Sequence, residues 1–198
     1  MANGFFALLS RMRFIGRWGL MRSSIPENVQ EHSHETAVYA HALGLIRREV
    51  FKKPCDAERL AVLALYHDAG ETLTGDMPTP VKYYDRRIRN AYKDVERQAE
   101  EKLLTLLPEE LRGAYGDIIR PAEADAELWT LVKAADKLSA LTKCIAERKA
   151  GNLEFLSAEA AARAAIEKLA LPEAEWFLSH CIPAYELNLD ELGTMEHD

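Results

Sequence analysis

The six histidines lie at positions 32, 34, 41, 67, 180 and 197, and His67 is followed directly by Asp68. The string Leu65-Tyr66-His67-Asp68-Ala69-Gly70-Glu71 sets two metal-ligand side chains at the end of an apolar stretch. A charge buried there is costly unless it is paired or coordinates a metal. Adjacent helical positions lie about 100° apart, so both side chains can reach one large ion near a helix end. Glu71, at i+4 from His67 and i+3 from Asp68, falls on the same helical face. Asp136 raises the same question in Leu131-Val132-Lys133-Ala134-Ala135-Asp136-Lys137-Leu138. An unpaired carboxylate among those apolar neighbours would be driven toward protonation, and a cation removes that cost. His32, in Val29-Gln30-Glu31-His32-Ser33, sits early in a long helix. His34 falls about 200° round that helix and His41 roughly opposite, so at most one ligand is expected from it.

The elements that must position these residues read as helices throughout. Ala, Leu, Glu and Arg are frequent, and no stretch alternates in the manner of a strand. Phe5, Leu8, Leu9 and Met12 mark a short amphipathic helix. Gly16 and Gly19 then flank Arg17-Trp18 in an expected loop. A long helix is expected from about 26 to 50, opened by Pro26 with Glu27 in its first turn, and the next from about 56 to 71. Gly75 to Pro80 reads as a loop, because two prolines interrupt it. Further helices are expected over about 85–106, 108–119, 124–149, 157–170 and 172–179, with a frayed tail after 192. The whole span 1–198 reads as one all-α domain.

Composition bounds the function. Of 198 residues, 48% are apolar and 29% charged, ordinary for a soluble globular chain. The charge sum, 25 − 32 = −7, argues against binding a nucleic-acid polymer. Cys55, Cys144 and Cys181 are far apart with no CxxC pair, as expected of reduced thiols. The apolar run Phe5 to Leu9 is too short to span a membrane, and Arg11, Arg13 and Arg17 follow it, the wrong polarity for a secretory signal. A cytoplasmic protein without a membrane segment is expected.

The set His32, His67-Asp68 and Asp136 resembles the HD-domain metal-dependent phosphohydrolase superfamily. Four strings narrow the resemblance to its bacterial 5'-deoxynucleotidase branch. They are Glu31-His32-Ser33, Tyr66-His67-Asp68-Ala69-Gly70-Glu71, Gly75-Asp76-Met77-Pro78-Thr79-Pro80-Val81-Lys82-Tyr83 and Gly16-Arg17-Trp18. The resemblance implies an HD-type helical bundle around one divalent ion, cobalt or manganese, held by His32, His67, Asp68 and Asp136. It implies hydrolysis of deoxynucleoside 5'-monophosphates to deoxynucleosides and phosphate. Glu71 would orient the attacking water or serve as general acid or base, with Asp68 and Arg17 also in the catalytic set. Arg17, within the segment of about 1–25 that contributes to the pocket, would clamp the phosphate. Trp18 would wall off the ribose 2'-hydroxyl, and Asp76, Met77, Pro78 and Thr79 would form the sugar-binding segment, Asp76 accepting from the 3'-hydroxyl. A homodimer is a further implication. Lys82 is a weaker phosphate candidate and reads rather as a solvated lysine, and His34, His41, His180 and His197 read as structural or exposed. Trp129, Trp176 and Phe177 suit either a core or an interface. Two alternatives stay open: an HD-type phosphodiesterase or pyrophosphohydrolase, and a non-catalytic metal- or nucleotide-binding sensor.

Overall fold

The computed structural model describes residues 3–82, 84–120 and 125–194. Tyr83, the expected helix start at 124, the end of the tail and His197 lie outside them. The described residues are all-α, with one isolated bridge between Gly16 and Asn28. Among the described residues no helix is long and apolar enough to cross a membrane.

Short polar caps set where the helices begin. After α1 (Phe5–Leu9) and a 3-10 turn over Ser10–Phe14, α2 runs Val29–Leu45. Asn28 opens it, not Pro26: its side chain accepts from the Glu31 N–H, and the Glu31 side chain accepts in return from the Asn28 N–H. Glu27 is thereby left outside the helix, free to serve the loop before it. The helix does not continue regularly to 50, since Ile46–Val50 forms a π turn.

α3 covers Ala57–Leu65, capped by Asp56, and stops short of the expected 71. Tyr66 to Gly70 turn instead, with His67 N–H donating to Ala64 O and Ala69 N–H to Tyr66 O. A short α4 (Glu71–Thr74) follows, so Glu71 and the His67-Asp68 pair do not share one helix. The expected loop after Gly75 contains α5 (Thr79–Lys82). Pro80 is tolerated there because the first turn of a helix has no partner for its N–H.

α6 (Arg86–Thr105), α7 (Glu109–Ile119), α8 (Ala126–Lys149) and α10 (Pro172–His180) fall near their expected bounds. α9 spans Leu156–Glu167, starting and ending before the expected Ser157 to Ala170. A 3-10 turn over Ile182–Glu186 precedes α11 (Leu189–Gly193), which carries its own capping box from Asn188 and Glu191.

Two apolar clusters hold these elements. The larger joins α2, α3 and α8 through Leu43, Leu60, Leu63, Leu131, Leu138 and Leu141, all fully buried, and α10 through Ala174. Phe177 belongs to it, and Trp129 and Trp176 are half-buried against it. The smaller collects Phe5, Ala69, Leu103, Leu107 and Ile119. Ala69 is adjacent to Asp68, so this cluster pins the His67-Asp68 turn from beneath. Between α2 and α3 the backbones nearly touch at Gly44, where an added Cβ would lie 2.8 Å from Ala57 Cβ and 2.9 Å from Ala57 Cα. All three cysteines are free.

Candidate metal centre

Three elements converge on one point. α2 brings His32 in its first turn, the turn after α3 brings His67 and Asp68, and α8 brings Asp136. Ligand atoms of His32, His67 and Asp68 all lie within 4.8 Å of one another. His67 Nε2 is 3.1 Å from Asp68 Oδ2, and His32 Nε2 is 3.6 Å from the same oxygen. Asp136 joins through His32, its Oδ1 lying 3.2 Å from His32 Nε2. Exposure rises toward the mouth: the side chain of His32 is fully buried, that of Asp68 is 20% exposed and that of Asp136 36%.

Each imidazole turns Nε2 inward. His67 Nδ1 lies 2.7 Å from the Ala64 carbonyl, and His32 Nδ1 lies 3.0 Å from Ser139 Oγ. Both Nε2 atoms are buried and make no hydrogen bond, and Glu71 Oε2 is likewise unpartnered. Buried polar atoms are seldom left so. Two bare imidazole nitrogens facing two carboxylates fit a divalent cation of the borderline kind. No cysteine belongs to the converging set, nor do His34, His41 and His180.

The electrostatics follow from burial and opposite charge. Burial would push Asp68 and Asp136 up, but His67 and His32 beside them hold both below the usual carboxylate range. Burial would lower His67, yet Asp68 and Asp136 raise it to about 9. Glu71 moves the other way. Burial, reinforced by Asp68 and Asp76, pushes it up to about 9 against the pull of Arg17 and His67. Its carboxyl therefore keeps a proton near neutral pH, and a cation bound alongside would draw that value down.

Arg17 and Trp18 are brought to the rim by the Gly16–Asn28 bridge, where Arg17 N–H donates to Glu27 O and Val29 N–H to Ile15 O. Arg17 Nη1 lies 3.7 Å from Asp68 Oδ2, so the guanidinium borders the centre. Trp18 packs its ring on Phe155 with centroids 5.2 Å apart. Asp76 feels the charges of Arg17, Asp68 and His32, and burial raises its carboxyl. Met77 and Pro78 are half-buried in the loop, while Thr79 is exposed at the start of α5. Lys82 is 2.7 Å from Glu96 and lies over the Tyr92 ring.

The sequence was compared with known proteins. A model of the 5'-deoxynucleotidase YfbR-like family matches residues 4–185. The chain is 46% identical to the 5'-deoxynucleotidase of Erwinia tasmaniensis over 189 residues, covering 96% of both proteins. It is equally 46% identical to 5'-deoxynucleotidase YfbR of Escherichia coli, over 96% of this chain and 95% of that one. The chain belongs to the YfbR-like 5'-deoxynucleotidase family.

Solved structures agree on the fold of this YfbR-like chain. An HD-domain phosphohydrolase from Listeria innocua superposes with a TM-score of 0.80 at 23% identity, covering 96% of this chain and 95% of that one. A cyanophage S-2L HD phosphohydrolase bound to dA and one catalytic Zn2+ superposes with a TM-score of 0.66 at 18% identity, covering 89% and 95%.

Three residues around the YfbR-like centre carry no motif in the sequence. Glu27 reads there as a helix-dipole carboxylate, yet its Oε2 accepts from Trp18 Nε1 and lies 3.3 Å from Arg17 Nε. Ser139 and Glu35 stand behind His32, with Ser139 Oγ donating to Glu35 Oε2 at 2.7 Å. Glu35 is three residues from His32, close enough on α2 to share its face, which is the one signal that could have drawn attention to it.

Proposed function

We infer that the protein is a metal-dependent hydrolase that converts deoxynucleoside 5'-monophosphates to deoxynucleosides and phosphate. The observation that carries this reading is the pair of bare imidazole nitrogens meeting two carboxylates beside Arg17. Near full-length similarity to 5'-deoxynucleotidases supports the substrate class.

His32, His67, Asp68 and Asp136 would hold one divalent ion, for which cobalt or manganese is the preferred identity. When bound, such an ion lowers the pKa of a water and polarises the phosphoryl group. Arg17 supplies a planar fork that matches paired phosphate oxygens, and Glu27 and Asp68 restrain its direction. Glu71, which keeps a proton near neutral pH, is the group that moves a proton. Carrying that proton, it gives one to the leaving 5'-oxygen; once a bound cation has drawn its pKa down and it is ionised, it takes one from the attacking water, and orienting that water is compatible with either role.

Trp18 is held from two sides, by Phe155 against its ring and by Glu27 at its N–H. A rigid aromatic surface of this kind excludes a 2'-hydroxyl by size. Asp76 is the acceptor for the 3'-hydroxyl, with Met77, Pro78 and Thr79 forming the rest of that wall. Nothing in this set reads the base, which fits broad use of deoxynucleotides. We further read the protein as a cytoplasmic homodimer, for which sedimentation should give about twice the chain mass of 22.3 kDa.

Phosphate release from dAMP and AMP, compared with cobalt present, tests the substrate class. Release from dAMP with little from AMP is expected. Equal release from both refutes the sugar wall. Release from neither, with cleavage of a diester or pyrophosphate, replaces the reaction; cleavage of nothing leaves a sensor.

A further inference from the structure

The two imidazoles at the centre are anchored in different ways. His67 donates Nδ1–H to the Ala64 carbonyl at 2.7 Å. A carbonyl only accepts, so in the neutral ring this contact alone leaves Nε2 bare. His32 meets a hydroxyl instead, Ser139 Oγ at 3.0 Å from Nδ1. A hydroxyl either donates or accepts, so Ser139 by itself would allow either tautomer of His32.

The next group along removes that freedom. Ser139 Oγ lies 2.7 Å from Glu35 Oε2. An ionised carboxyl only accepts, so the hydroxyl hydrogen points at Glu35 and a hydroxyl lone pair faces His32. Nδ1 must then carry the hydrogen. Glu35 is itself held in place, its Oε1 accepting from Tyr39 OH at 2.9 Å, and the Tyr185 hydroxyl lies 2.7 Å behind Tyr39. With the Tyr39 hydrogen on the shorter contact, Glu35 at 2.9 Å rather than Thr142 Oγ1 at 3.2 Å, the Tyr185 hydroxyl is the donor of that last contact. Every bond on both sides of Glu35 therefore runs toward its carboxylate. His32 and Ser139 are fully buried, so water does not compete for the contact between them.

We propose that Glu35, acting through Ser139, is a positioning residue that fixes His32 as its Nδ1–H tautomer and so keeps Nε2 bare for the divalent ion. The inference rests on the metal-centre reading above. Outer partners of this kind orient metal-bound histidines, and their loss weakens metal binding by roughly 10- to 100-fold.

The test uses Zn2+ as the probe, because it is diamagnetic. Zn2+ affinity of the metal-stripped full chain is measured by competition with a chromophoric chelator, for wild type, Glu35→Gln and Ser139→Ala. Long-range 15N–1H spectra of the metal-free proteins read the His32 tautomer. Wild type should show Nδ1–H. Either variant should bind Zn2+ at least about 10-fold more weakly and show a bare Nδ1 in part of the population. Glu35→Gln keeps the side-chain size, so it carries the test should Ser139→Ala fail to fold. Zn2+ binding within twofold of wild type in both variants overturns the proposal. So does weaker binding with the wild-type tautomer retained, which would mark a merely structural role. A wild type that binds no Zn2+ overturns the metal reading beneath it, and this inference with it.

Discussion

The indole N–H of Trp18 donates to Glu27 Oε2 at 2.5 Å, across the bridge that joins the first loop to the start of α2. The same oxygen lies 3.3 Å from Arg17 Nε. One carboxylate thus aims the proposed phosphate clamp and the proposed sugar wall together. Trp18 also has φ of 59°, a left-handed conformation that a bulky residue adopts only when its surroundings impose it.

Glu27→Ala should therefore loosen both functions. KM for dAMP should rise about tenfold, the cost of a positioning loss of about 1.4 kcal/mol, and the preference for dAMP over AMP should shrink. Steady-state kinetics on both substrates decide this. Unchanged KM and unchanged preference would show that Arg17 and Trp18 are held by other contacts.

Glu147 gives a pH prediction away from the centre. Its side chain is fully buried and accepts from the Ser24 and Ile25 N–H groups, from Asn152 and from Lys143, whose ammonium also meets the Ile25 carbonyl. Burial alone would raise its carboxyl, but these donors hold it well below its ordinary 4.5. A depressed folded-state pKa stabilises fully above the unfolded value and is lost as pH falls below it. Wild-type stability should thus decline from about pH 4.5 downward, partly through this group. Glu147→Gln should cost about 3–5 kcal/mol at pH 7, because Lys143 is left buried without its partner, and should flatten the acid decline. Urea unfolding at several pH values measures both. A variant as stable as wild type at pH 7 would contradict the prediction.

Gly44→Ala tests the packing that sets α2 against α3. The added methyl would meet the Ala57 backbone at 2.9 Å, and backbone does not yield as a flexible side chain does. Overpacking of this type costs about 1–3 kcal/mol. Thermal unfolding should show a lower Tm, and because His32 rides on α2 and His67 on the turn that follows α3, metal affinity should fall as well. An unaltered Tm would mean that the helices separate freely.

The helix set was legible because apolar periodicity and polar starts agree, as at Asp56 for α3 and Asp85 for α6. The candidate site was legible for a different reason. His67-Asp68 and Asp136 are expensive residues in apolar surroundings, and such residues stand out without any fold. Periodicity misled at Tyr66 to Gly70, where the pattern continues but the chain turns so that Ala69 can enter the second apolar cluster. Glu27 and Ser139 were not legible, since each acts on a partner at least nine residues away through contacts that only the fold creates. α11 was not legible because its capping box, Asn188 with Glu191, opens a helix too short to show a period.

The most direct measurement is phosphate release from dAMP by metal-stripped protein titrated with Co2+, run beside Asp136→Asn. Activity should be absent without metal, rise to a plateau at one ion per chain, and require far more Co2+ in the variant. Release that is independent of added metal, or a variant that titrates like wild type, would contradict the assignment of His32, His67, Asp68 and Asp136 as the centre of catalysis.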